Sequence, residues 1–179
     1  MIIGTDELLR LVKEKGLVKN LSERELTNPE GAGFDLRLKE IYSIEGEAFL
    51  GIDYRETPKT KLVASYKKGV REKFTINPGD FYLITTIEEV NLPKDITVNL
   101  EPRSTTYRSG LYIRMGNAAP GYKGNFTFAL KNEGPVPVTL ELGARIVHAQ
   151  FYRVDGGGSK YRGQWQGGRV TTDKKEKQI

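Results

Sequence analysis

The chain contains no cysteine. That excludes disulfides and thiolate metal sites, and it fits a reducing compartment, so a cytoplasmic protein is expected. Histidine occurs once, at His148, too seldom for a histidine-rich zinc site. No apolar run approaches the roughly 20 residues that cross a bilayer, so no membrane partner is expected. The opening "MIIGTDELLR" lacks a basic segment followed by an apolar one, and no signal peptide is expected. No internal repeat is visible. What is present has an ordinary globular balance, with 37 % hydrophobic and 28 % charged residues. A length of 179 residues suits one domain over 1–179 with a sizeable core. The formal charge is +5 at pH 7, part of it in the tail "TTDKKEKQI", which reads as a solvated, frayed terminus. A basic balance suits DNA, RNA or a small polyanion such as a nucleoside triphosphate, and it serves solubility equally well.

Residues 1–30 read as an N-terminal helical segment. "GTDELLRLVKEKG" has Thr5 placed to cap a helix, Asp6 and Glu7 in its first turn, and Gly16 to end it. Leu8, Leu11 and Val12 form a stripe that docks on a core. "LSERELTN" suggests a second short turn. From Phe34 onward the pattern alternates, in "FDLRLKEIYSI", "KFTI", "FYLITT", "ITVNLEPR", "GLYIRM", "NFTFALKN", "VPVTLEL" and "RIVHAQFYRV". Pro78 and Gly79 mark a turn within this series. About eight or nine strands at this spacing predict an all-β sandwich or barrel. Residues 51–73 read as an irregular insertion or edge hairpin, and the glycine-rich "VDGGGSKYRGQWQGG" as neither strand nor helix.

Four stretches carry more chemistry than a scaffold requires. "EPRSTTYRSG" sets Arg103 and Arg108 around Ser104, Thr105 and Thr106, a combination of cationic forks and hydroxyls that suits phosphate oxygens or a solvated loop. "YIRMGNAAPGYKGNFTFAL" predicts a hairpin whose bare backbone amides could read a planar base, with Tyr122 to stack, although most such hairpins are only hairpins. "GARIVHAQF" holds His148, and a lone histidine in a strand is more often a core or interface residue than a catalyst. "GGGSKYRGQWQGG" combines Lys160, Arg162 and Arg169 with Tyr161 and Trp165. It fits a lid over an anion or a nucleic-acid tail.

Taken in order, with "GAGFDLRL" at 31–38, these stretches resemble the motif series of the dUTPase and dCTP deaminase superfamily, closest to archaeal-type dUTPases on the deaminase-like scaffold. The resemblance implies a distorted jelly roll (a dUTPase-like β-clip) with a short N-terminal helix, assembled as a homotrimer with shared active sites. Residues 155–179 would form a flexible C-terminal lid and tail. The implied substrate is a deoxypyrimidine triphosphate (dUTP, with dCTP or dTTP as alternatives) bound with Mg²⁺ held mainly through the triphosphate. No nucleic-acid partner is then expected. By the same resemblance, Arg103, Ser104, Thr105 and Arg108 hold phosphates, and Ala118, Tyr122, Thr127 and His148 contact the nucleoside or its phosphates. Lys160, Tyr161 and Gln164 would close over the triphosphate, and Asp35 would support the site or metal-bound water, or simply cap a strand.

The departures from the family pattern are specific. The dUTPase reaction, giving dUMP and pyrophosphate, needs a carboxylate before the Pro-Gly of the hairpin, and here that position is Ala119. The deaminase reaction needs a glutamate further along, where Ala129 stands. His148 replaces a glutamine. Ala129 argues against deamination. For Ala119 three accounts stand open: an inactivating replacement, a natural loss in a nucleotide-binding paralogue, or transfer of the role to Glu101 or Asp35. The expectation is a dUTP diphosphatase with an impaired general-base position; the alternative is a non-catalytic binding or regulatory paralogue.

Overall fold

The computed structural model describes residues 1–178. Helix α1 (Thr5–Lys15) starts without a side-chain cap: Gly4, not Thr5, occupies the cap position in extended conformation. It ends as expected at Gly16, whose left-handed backbone lets its N–H bond the carbonyls of Leu11 and Val12. Leu8 and Leu11 are buried. Strand β1 (Val18–Lys19) follows, then α2 (Glu23–Thr27), capped by the Ser22 hydroxyl.

The remaining strands are β2 (Phe34–Glu45), β3 (Phe49–Leu50), β4 (Tyr54–Glu56), β5 (Lys59–Ser65), β6 (Lys73–Ile76), β7 (Phe81–Asn91) and β8 (Ile96–Pro102). After helix α3 (Ser104–Arg108) come β9 (Leu111–Arg114), β10 (Asn117–Ala118), β11 (Lys123–Asn132), β12 (Val138–Glu141), β13 (Arg145–Arg153) and β14 (Glu176–Lys177). The main sheet runs β10-β8-β13-β2-β7-β11-β9, with β1 on β7 and β5 on β2. All its pairings are antiparallel.

The sheet curls because β2 changes partners along its length. Its first residues pair with β13, and from Leu38 onward it pairs with β7 and β5. Register shifts at each of these seams are β-bulges, which bend a strand and raise its twist. The result is the expected all-β distorted jelly roll around Phe34, Leu36, Leu38, Ile84, Val98, Phe151 and their neighbours.

More strands form than the alternating pattern predicts. The surplus is in two- and three-residue pieces such as β1, β3, β4, β10 and β14, too short to show a period of two. The insertion supplies the hairpin β3–β4 and the edge strand β5. The tail does not fray: Thr172 is buried, its N–H bonds Thr57 Oγ1 at 2.9 Å, and β14 pairs with β4.

Candidate functional site

Two pockets hold eight of the predicted site residues. Ala118, Ala119, Tyr122, Thr127 and Tyr161 line one, and Asp35, Arg103 and His148 the other, while Ser104, Thr105, Arg108, Lys160 and Gln164 line neither. The larger, of about 630 Å³, lies under the turn that joins β10 to β11. These strands pair with β8 and with β7 and β9, not with each other. Within the expected hairpin this link is therefore a crossover between sheet positions, and we call its turn the hairpin. Ala119-Pro120-Gly121-Tyr122 forms a β-turn closed by the Tyr122 N–H on the Ala119 carbonyl at 3.2 Å. Pro120 suits the first central position, and Gly121 takes the positive φ of +81° that the second requires. A side chain at 121 would also meet Lys160 Cγ at 2.6 Å.

The turn's amides do not face a ligand. Gly121 N–H donates to Leu92 O, Tyr122 N–H to Ala119 O and Lys123 N–H to Gln166 Oε1. Base reading by these backbone groups is therefore closed. A different polar handle appears, because the buried Thr127 Oγ1 has no hydrogen-bond partner among the described residues and lines the pocket. The bulge between Asn125 and Thr127 positions it. Sequence reasoning quoted Thr127 only through resemblance, since nothing local marks an orphaned hydroxyl.

The pocket walls are aromatic. Tyr122 stacks on Phe126 at 5.7 Å and meets Tyr161 edge-on at 5.4 Å. Burial, together with Tyr161, pushes the Tyr122 phenol up to about 12, so it stays protonated and donates to the Asn125 carbonyl at 2.5 Å. Ala118, Ala119, Phe128, Ala129 and Trp165 complete the apolar surface, and Arg169 is the one charged residue in the lining.

The C-terminal segment reaches this pocket in the same chain. Residues 154–168 form neither strand nor helix, yet Tyr161 N–H donates to Pro120 O at 2.7 Å and Gln166 Nε2 to Gly121 O at 3.1 Å. Lys160 is exposed. Gln164 Nε2 donates to Glu176 Oε2 at 2.5 Å, and Arg169 bonds the same carboxylate.

The second pocket, of about 300 Å³, holds Asp35, Arg103, His148 and Gln150 beside the loop Glu30–Ala32. Asp35 is 5 % exposed. Its Oδ2 accepts Arg145 Nη1 at 3.0 Å and lies 3.2 Å from Arg103 Nε, and its Oδ1 stands 3.0 Å from His148 Nδ1. Burial works against the charged form, but the His148 hydrogen bond and the two guanidiniums outweigh it and hold the carboxyl below its ordinary range. Beneath it, fully buried Glu25 accepts the Asp35 N–H at 3.0 Å and pairs with Arg24. Neither Glu25 nor Arg145 was singled out in the sequence: α2 is remote from the motifs it supports, and nothing within "GARIVHAQF" marks Arg145 as the partner of Asp35. Ser104, Thr105 and Arg108 follow Arg103 on α3, exposed to solvent.

Asp35 does not fit as a cation ligand. Both its oxygens are engaged by positive or hydrogen-donating groups, and no cluster of three metal-ligating side chains occurs among the described residues. The donors in the lining of the small pocket are Arg103 and the Gln150 side-chain amide.

The chain is a member of the dCTP deaminase-like family, whose model matches residues 2–154. It is 33 % identical over 168 residues to a dCTP deaminase of Pyrococcus furiosus, covering 93 % of this chain and 95 % of that one. It is 30 % identical to a dUMP-forming dCTP deaminase of Dictyoglomus thermophilum, covering 92 % and 91 %. A probable deoxyuridine 5′-triphosphate nucleotidohydrolase of Methanothermobacter thermautotrophicus is 32 % identical, covering 79 % and 89 %. Among solved structures, 2′-deoxycytidine 5′-triphosphate deaminase from Agrobacterium tumefaciens superposes with a TM-score of 0.64 at 18 % identity. That match covers 86 % of this chain, which spans about half, 48 %, of the longer one.

Proposed function

We propose that the chain binds a deoxypyrimidine triphosphate, dUTP first, and hydrolyses it slowly to dUMP and pyrophosphate. The relatives' names supply the substrate class. The observation that carries the reading is the hairpin pocket: aromatic walls sized for a nucleoside, one orphaned hydroxyl at Thr127 to read the base, and no Asp or Glu in the lining. Ala119 leaves the dUTPase position without a proton acceptor, and Ala129 leaves the deaminase position likewise, so ammonia release from dCTP is not expected. We place any Mg²⁺ on the triphosphate, because Asp35 is already neutralised by arginines.

The pocket around Arg103 shares no lining residue with the hairpin pocket. We infer that a second copy brings the two together, in a homotrimer with shared sites. Mixing Arg103→Ala with Tyr122→Ala chains should then restore activity that neither has alone.

The direct test is pyrophosphate release from dUTP with Mg²⁺, beside calorimetric binding of a non-hydrolysable analogue. The parent chain should bind and turn over slowly, and Ala119→Asp should be faster by about 10²-fold. Binding without release in either form would leave the second reading, a nucleotide-binding paralogue, which the paired alanines favour. Absence of binding would end both.

A further inference from the structure

His148 sits in a row that the hairpin chemistry does not use. Its strand β13 runs between β2 and β8, and its register partners are Asp35 on one side and Glu101 on the other. Cross-strand partners share a face of the sheet. The Asp35 carboxylate lies 3.0 Å from Nδ1, and in the tautomer whose Nδ1–H donates to it the ring lone pair is at Nε2. No protein group bonds Nε2 among the described residues, and His148 lines the Arg103 pocket. Its side chain is 24 % exposed. Gly33 keeps the nitrogen uncovered, because a Cβ there would fall 2.8 Å from Nε2 and 2.1 Å from Ala149 O.

The competing carboxylates are worse placed. Both oxygens of Asp35 are occupied and screened from water. Glu101 is exposed, and its Oε1 accepts from Asn99 Nδ2 at 3.0 Å. The charged groups facing the imidazole are Asp35 from β2, Glu101 and Arg103 from the β8 end, Arg145 from its own strand, Glu25 and Arg24 from α2, and Glu30 from the loop.

We propose that His148 is the water-activating base of this chain, with Asp35 as its positioning residue, replacing the carboxylate that Ala119 lacks. The proposal rests on the reading that a triphosphate lies along Arg103. The water oxygen bonds to the α-phosphorus while the α–β bridging P–O bond breaks. Pyrophosphate leaves with the bridging oxygen and its electron pair, and the water proton passes to Nε2. Asp35 stabilises the resulting imidazolium, which then gives its proton to solvent.

The test is the dUTP hydrolysis rate across the pH range in which histidine titrates, with analogue binding measured alongside. His148→Gln should keep analogue affinity, lower kcat by about 10²-fold and flatten the acid limb of the profile. Asp35→Asn should move that limb to lower pH, since loss of the anion disfavours the imidazolium. In the Ala119→Asp background His148→Gln should cost little, whereas a purely structural role for His148 would cost the same factor in both backgrounds. A His148→Gln chain that hydrolyses at the parent rate with the parent profile overturns the proposal. So does a parent chain that binds the analogue but releases no pyrophosphate, an outcome that leaves nucleotide binding intact. If neither form binds, the underlying reading falls with it. Should His148→Gln not fold, a parent rate without an acid limb is sufficient to overturn it.

Discussion

Phe126, Phe128, Ala118, Ala119 and Ala129 face one pocket, whereas Asp35, Arg103, Arg145 and His148 crowd the other. The first offers area and shape with one unpartnered hydroxyl; the second offers charge already balanced before a ligand arrives. Burial of a planar base is favoured in the first because little water competes there, and aromatic contacts add about 0.5–1.5 kcal/mol each. In the second, a buried carboxylate is tolerated only because guanidiniums and an imidazole surround it. A reaction that needs both a dry base pocket and a poised proton acceptor must therefore draw on both. On the proposed reading, the alanines in the first pocket shift the demand for an acceptor onto the second.

The sharpest way to break this contrast is to remove the carboxylate from the charged pocket. Asp35→Asn removes the buried carboxylate shared by Arg103 and Arg145, whose side chains are 30 % and 32 % exposed. It should cost about 1–3 kcal/mol in urea unfolding, below the full buried-pair cost because solvent screens the guanidiniums. The same substitution in an exposed pair would cost under about 1 kcal/mol. The pH dependence follows from the sign of the shift. Asp35 has its folded value lowered from 3.8, so its contribution is complete above that value and is lost as pH falls below it. The Asp35→Asn chain should lack this part of the acid destabilisation when melts are compared from neutral pH downward.

In the hairpin pocket the corresponding change is smaller and has the opposite sign for stability. Thr127→Val removes a buried hydroxyl that bonds nothing, so the free chain should melt unchanged or slightly higher, by up to about 1 kcal/mol. If that hydroxyl reads the base, analogue affinity should drop by about tenfold, the equivalent of one hydrogen bond. Equal affinity in calorimetry would assign base recognition elsewhere in the pocket.

The two regions also differ in how far they could be read in advance. The turn was legible because its signals are local: Pro120 and Gly121 specify it, and alternation in "NFTFAL" specifies the strand that follows. The pairing of β10 with β8 and of β11 with β7 is non-local and was not. Arg103 belongs to an equally local stretch, and the structure sets its Nε 3.2 Å from Asp35 Oδ2. The surroundings of Asp35 were not, because Glu25, Arg145 and His148 arrive from α2 and β13, and no spacing along the chain encodes that meeting. A carboxylate that resemblance offers as support for metal-bound water becomes, once its neighbours are placed, the anchor of an imidazole. The tail misled in the other direction. "TTDKKEKQI" has the composition of a frayed end, yet Thr57 and Thr172 meet across 115 positions through hydroxyl and amide bonds that composition does not reveal.

That tail gives the smallest effect and the finest test of how the hairpin pocket is closed. Glu176 accepts Arg169 Nη2 at 2.6 Å and Gln164 Nε2 at 2.5 Å, tying the segment that carries Tyr161 and Trp165 to β14. Arg169's hydrogen bond is the main cause that holds the Glu176 carboxyl below its ordinary 4.5. The clamp is therefore complete above that value and weakens as pH falls below it. Glu176→Gln should leave the global melt nearly unchanged, since the pair is at the surface and screened. Its effect should appear locally, as faster amide exchange and earlier proteolytic cleavage across 157–178, with the parent chain approaching the variant at acid pH. If exchange in this segment ignores both the substitution and the pH, the closure of the pocket rests on the Tyr161 and Gln166 bonds to the turn, and the clamp is incidental.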